Sequence, residues 1–144
     1  MGRNTGKDTG KDAGAIRLEV RLPEEMESIT RSRQIAREAI TGGGYRGRHE
    51  DVLLVVSELV TNALRHGAGA PVLRVECDHD RVRVEVRDTG ERLPEPREPE
   101  PGSGWGLRVV DMLSTGWGVR GDGEGKAVWC ELAAHVRPLA PQAG

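Results

Sequence analysis

Glu58 and Asn62 stand four residues apart in the run Ser57-Glu-Leu-Val-Thr-Asn62-Ala-Leu-Arg-His-Gly67. On a helix, that spacing sends both polar side chains from one face, a turn apart. An asparagine amide oxygen there suits Mg²⁺, an oxygen-seeking cation that keeps waters and bridges to phosphates. A glutamate one turn away can orient or deprotonate a hydroxyl. Asp88-Thr89-Gly90 follows the alternating run Val82, Val84, Val86. A carboxylate at such a strand end can accept a hydrogen bond from the amino group of adenine, where guanine presents a carbonyl and is repelled. Gly90 lets the backbone pass close to a flat ring. Gly102-Ser-Gly104-Trp-Gly106-Leu107 is a glycine-rich loop opening a helix, a place where backbone N–H groups and a positive dipole meet phosphates. Its spacing is neither the Rossmann fingerprint nor a P-loop. Taken singly, each motif has a simpler reading: a solvated Glu/Asn pair, an ordinary Asp-Thr-Gly turn and a flexible hinge.

The elements that must position these residues follow from periodicity. Ile16, Leu18, Val20 and Leu22 alternate with polar residues, as a half-buried strand does, and Pro23 ends the run. Glu24 to Ile40 places Met26, Ile29, Ala36 and Ile40 near one helical face, and Gly42-Gly43-Gly44 stops it. From about His49 to His66, Val52, Val55, Val56, Leu59, Val60 and Ala63 form an apolar stripe, with Gly67 placed as a C-cap. Leu73, Val75 and Cys77, then Val82, Val84 and Val86, form a hairpin about Asp78-His79-Asp80. A short helix carries Leu107, Val110 and Leu113, and a second hairpin, Thr115 to Arg120 and Lys126 to Ala133, closes the chain. This order predicts an α/β two-layer sandwich: a mixed sheet, mostly antiparallel, with helices on one face.

Composition narrows the class. At 144 residues the chain fits one domain able to bury its own core. The expected limits are a disordered polar tail over 1–14, a domain over 15–134 with a Pro/Glu-rich loop at 91–103, and a C-terminal tail over 135–144. A net charge of -2 provides no broad basic field for nucleic acid. No apolar run approaches the roughly 20 residues of a membrane helix, and none resembles a signal peptide, so a cytoplasmic address is expected. Cys77 and Cys130 have no metal-ligand spacing and read as buried reduced thiols. Trp117 and Trp129 are expected in the core.

In combination, Glu-x-x-x-Asn on a helix, Asp-x-Gly after a strand and Gly-x-Gly-x-Gly-Leu after a loop resemble the GHKL superfamily of ATPases and kinases over roughly residues 16–134. The helix Ser-Glu-Leu-Val-Thr-Asn-Ala-x-x-His-Gly and the strand Val-Trp-x-Glu-Leu look like those of the anti-sigma factor serine/threonine kinases. The resemblance implies the Bergerat ATP-binding fold, with ATP and Mg²⁺ as cofactors. It implies Glu58 as general base, Asn62 as Mg²⁺ ligand and Asp88 as reader of adenine. Gly90, Gly102, Gly104, Gly106 and Leu107 complete the nucleotide-binding set, under a lid formed by 91–103. It also implies a homodimer that sequesters a sigma factor and phosphorylates a serine on an anti-sigma factor antagonist. Two departures stand out. Ala127 occupies the place where the family often has a threonine supporting the aspartate, and Gly102 the place where kinase-active relatives carry an arginine. Nucleotide binding survives such changes more readily than phosphoryl transfer. The alternative is therefore an ATP-dependent protein-binding regulator with little or no catalysis.

Overall fold

Five strands alternate apolar and polar residues. In the computed structural model, which describes residues 15–90, 106–121 and 123–135, this alternation becomes one sheet with one covered face. The elements run β1 (Ile16–Arg21), α1 (Glu27–Gly42), α2 (His49–His66), β2 (Val72–Cys77), β3 (Arg81–Asp88), α3 (Gly106–Leu113), β4 (Gly116–Gly121) and β5 (Lys126–Ala133). The strand order is β1-β2-β3-β5-β4. Every pairing is antiparallel, so the sheet expected to be mixed is of one kind. The expected tails at 1–14 and beyond 135, and the expected lid at 91–103, lie outside the described residues.

One set of alternate positions, Leu73, Val75, Cys77, Val82, Val84, Val86, Val128, Cys130 and Leu132, is buried in the main core. Helix α2 supplies the other half through Val52, Val55, Val56, Leu59, Val60 and Ala63. Each buried Val or Leu among them contributes about 1.5–3 kcal/mol by leaving water. Glu50 and Asp51 in its first turn, and Arg65 and His66 in its last, complement the helix dipole. Helix α2 packs against both α1 and α3.

Helix α1 begins three residues later than its apolar pattern suggests. Pro23 to Glu25 form a turn, with the Glu25 N–H bonded to the Pro23 carbonyl. Met26 is left exposed, and the buried stripe is Ser28, Ser32, Ile35, Ala36, Ala39 and Ile40. The two serines are tolerated there because their hydroxyls bond carbonyls, Ser28 to Pro23 (2.6 Å) and Ser32 to Ile29 (2.7 Å).

The sheet's outer face is ionic. Arg17 pairs with Glu76 (3.1 Å), Arg74 with Glu19 (3.2 Å) and Arg83 with Glu131 (2.9 Å). Glu85 lies among them at 7% exposure, 3.2 Å from Arg120 and 3.8 Å from Arg83. The Arg83 guanidinium lies 4.6 Å over the Trp129 ring. Trp129 therefore belongs to this outer face and not to the core, because Val128, Cys130 and Leu132 take the inward positions of β5. Trp117 does pack against the core, and its indole N–H reaches Asp111.

Candidate functional site

Asp88 is the last residue of β3 and faces the helix layer, with 3% exposure. Its Oδ1 accepts three hydrogen bonds: from Gly90 N–H (2.7 Å), Lys126 Nζ (2.9 Å) and, more weakly, Ala68 N–H (3.4 Å). All three converge on Oδ1 and leave Oδ2 outside the set. The neighbouring Thr89 fastens the same strand end to the segment after α2, its N–H and hydroxyl both bonding the Ala68 carbonyl (2.9 and 3.0 Å).

Glycines make room for this arrangement. A Cβ at Gly67 would overlap the Asp88 carboxyl carbon, and one at Gly90 would sit 3.0 Å from Oδ1. Gly125, at φ +153°, backs directly onto the Asp88 carbonyl, where a Cβ would overlap the oxygen. Gly67 thus closes α2 without the left-handed cap geometry its position suggests. Its φ is -100°, and what requires glycine there is the carboxylate.

The ammonium on Asp88 comes from Lys126, which sequence reasoning missed. Across β3 and β5, Asp88 pairs with Lys126 and Arg87 with Ala127. Residues directly opposite in an antiparallel pair share a face. Lys126 therefore supports the aspartate, while Ala127 sits on the opposite face. A signal was available: Lys126 continues the inward series Val128, Cys130, Leu132 by one step of two residues.

Helix α2 ends against Asp88 through Gly67. Five residues earlier, about 7.5 Å up the helix axis, lies Asn62, and a turn further back lies Glu58. Both are half-buried, and among the described residues neither side chain has a hydrogen-bond partner. Burial raises the Glu58 carboxyl above its usual value, and the nearby Arg65 charge partly opposes the shift. The adjacent Ser57 is held in place, donating to the Leu53 carbonyl (3.0 Å) and accepting from Arg33 (3.1 Å).

Of the glycine-loop residues, Gly102 and Gly104 lie outside the described residues. Gly106 begins α3, whose first side chain, Leu107, is buried in the core. Leu107 thus anchors the loop's end from within. Among the described residues no group of three His, Cys, Asp or Glu could hold a metal, so a cation here would rest on Asn62 together with phosphate and water oxygens. A purine nucleotide would fit at the strand end, where glycines open the backbone beside a buried carboxylate whose Oδ2 has no hydrogen bond among the described residues.

An open antiparallel sheet with its helices on one face and an aspartate at the end of the central strand defines an α/β sandwich of the GHKL kind. The chain belongs to the histidine kinase-like ATPase domain family, which it matches over residues 22–132. It is similar in structure to the RsbU and RsbW domains of Rv1364c from Mycobacterium tuberculosis, with a TM-score of 0.63 and 19% identity. That similarity covers 87% of this chain and 35% of the other, so this chain spans about a third of the length of the chain it matches. It is also similar to the histidine kinase domain of the Erythrobacter litoralis EL346 blue-light activated histidine kinase, with a TM-score of 0.43 and 22% identity over 78% of this chain and 61% of that one. No curated protein sequence matches it. Among the described residues no helix is long and apolar enough to cross a membrane.

Proposed function

We propose that the protein binds Mg-ATP between α2 and the end of β3 and acts as an anti-sigma factor serine/threonine kinase. The observation that carries this reading is the Asp88 carboxylate: one oxygen is tied down by Gly90, Lys126 and Ala68, and the other is outside that set. A fixed carboxylate accepts from the amino group of adenine and rejects the guanine carbonyl. Family membership supports ATP as the nucleotide.

In this reading Asn62 holds Mg²⁺ through its amide oxygen, and the backbone at Gly102, Gly104 and Gly106 lies along the phosphates. ATP supplies the phosphoryl group. Glu58, half-buried and without a protein hydrogen bond among the described residues, takes the proton of a serine hydroxyl on an anti-sigma factor antagonist as that oxygen bonds to the γ-phosphorus and the bond to ADP breaks. Its raised pKa strengthens it as a base. The sigma factor is the second protein partner, the protein works as a homodimer in the cytoplasm, and the segment 91–103 is the lid. The likeness to a structure containing an RsbW domain supports the fold of this assignment.

Calorimetry with ATP, ADP and GTP, with and without Mg²⁺, tests the nucleotide site. Tight Mg-dependent ATP binding with little for GTP is expected, and equal binding of ATP and GTP would end the base reading. A second reading, a nucleotide-dependent protein binder without transfer, is favoured by glycine at position 102 in place of a lid arginine. Incubation with labelled ATP and a serine-bearing antagonist separates the two: labelled antagonist supports the kinase, and ATP-dependent complex formation without label supports the binder.

A further inference from the structure

Lys126 is buried to 1% exposure, yet among the described residues its ammonium is only partly met. An ammonium carries three N–H donors. One goes to Asp88 Oδ1 at 2.9 Å, and among the described residues Asp88 is its one acceptor. A buried charge with donors unspent is costly, and native structures rarely leave one so without a ligand or water to complete it. The same lysine sits beside a carboxylate whose Oδ2 lies outside the bonded set. The strand end thus presents a hydrogen-bond acceptor and a hydrogen-bond donor next to each other.

That pair matches one purine edge. Adenine carries an amino donor at N6 beside an acceptor, the ring nitrogen N1. Guanine reverses both, with a carbonyl at C6 and a protonated N1. Building on the base-pocket reading, we propose that Lys126 is a second base-reading residue, donating to N1 of adenine while Asp88 accepts from N6. Selectivity for adenine then rests on two buried charged groups of opposite role, each left unpaired by the wrong base. The lysine joins this site because the β3–β5 register sets it directly across from Asp88. Two glycines, Gly67 and Gly90, keep side chains out of the space beside the carboxylate.

The test uses the full chain and base analogues of ATP: 1-deaza-ATP, which lacks the N1 acceptor, and 7-deaza-ATP, which keeps both N1 and N6. Dissociation constants from calorimetry should place 7-deaza-ATP beside ATP and 1-deaza-ATP roughly ten- to hundredfold weaker, the range for a hydrogen bond to a charged group. In Lys126→Met the gap between ATP and 1-deaza-ATP should close. Should that variant not fold, the wild-type analogue series alone decides. ATP and 1-deaza-ATP binding equally well to the wild type, with GTP still rejected, overturns the role of Lys126 and leaves Asp88 as sole reader. Equal binding of ATP, GTP and 1-deaza-ATP overturns the base pocket itself, and with it this proposal.

Discussion

Lys126 Nζ lies 2.9 Å from Asp88 Oδ1, and both side chains are 1% exposed. Removing one member of so buried a pair strands the other charge, at a cost of roughly 3–5 kcal/mol. Lys126→Met and Asp88→Asn should therefore each lower stability by about that amount in urea denaturation. The double variant should regain most of the loss, because no isolated charge remains. Additive losses in this double-mutant cycle would show that the two residues do not act as a pair.

Glu58 sets a pH dependence. Its carboxyl is raised above 4.5 by burial, with Arg65 opposing. A base must be ionised, so phosphoryl transfer should fall as pH drops through this raised value, and Glu58→Gln should abolish transfer while leaving ATP affinity within a few-fold. The sign for stability is opposite. Because the folded form holds this proton more tightly than the unfolded chain, the group's stabilising contribution is full below the unfolded value and is lost as pH rises through the raised one. Glu58→Gln, neutral at every pH, should be at least as stable as the wild type at pH 7, measured by denaturant midpoint.

Gly67 tests the contact between α2 and the aspartate. A Cβ there overlaps the Asp88 carboxyl carbon, so Gly67→Ala should displace the carboxylate, reduce ATP affinity at least tenfold and destabilise by about 1–3 kcal/mol. Gly116 is the control. No atom lies within 4 Å of a Cβ built on it, and Gly116→Ala should be neutral or slightly stabilising in a thermal melt.

The thiols should be inert. Burial pushes Cys77 up to about 11 and Cys130 up to about 12. Both remain protonated near neutral pH, and the thiolate is the reactive form. Alkylation at pH 8 should label neither in the folded protein and both in denaturant, as counted by intact mass.

Glu85 is the acid at the centre of the outer face, 3.2 Å from Arg120 and 3.8 Å from Arg83. Those arginines keep partial access to water, which screens the pairs, so Glu85→Ala should cost roughly 1–3 kcal/mol in chemical denaturation, less than loss of the Lys126–Asp88 pair.

The order of elements was legible because period is legible: β3 alternates at Val82, Val84 and Val86, and α2 repeats Val52, Val55, Val56, Leu59 at helical spacing and keeps its expected ends, His49 and His66. What escaped depends on partners distant in sequence. Met26 fits an apolar helical face, but the turn from Pro23 starts α1 one residue beyond it. Trp129 reads as core until register gives it to Arg83. At the site, Asp88 announced itself by ending a strand before a glycine. Its partner, 38 residues away, required knowing which residue β5 sets opposite it. Gly67 is the C-cap its position suggests, but its contact with Asp88 is invisible in one dimension.

The ionic outer face also serves as a ruler. Sliding a strand by two residues keeps every apolar side chain facing inward, so burial alone is a poor judge of such an error. Here the charges object. A slip of β1 along β2 in one direction would set Arg17 against Arg74, and in the other Glu19 against Glu76. For β2 along β3 the collisions would be Arg74 with Arg83, or Glu76 with Glu85. Like charges directly opposed are destabilising. On β1 and β2 the outward signs alternate, Arg17, Glu19, Arg21 and Arg74, Glu76, so a two-residue slip of either meets like charges on the sheet's wet side.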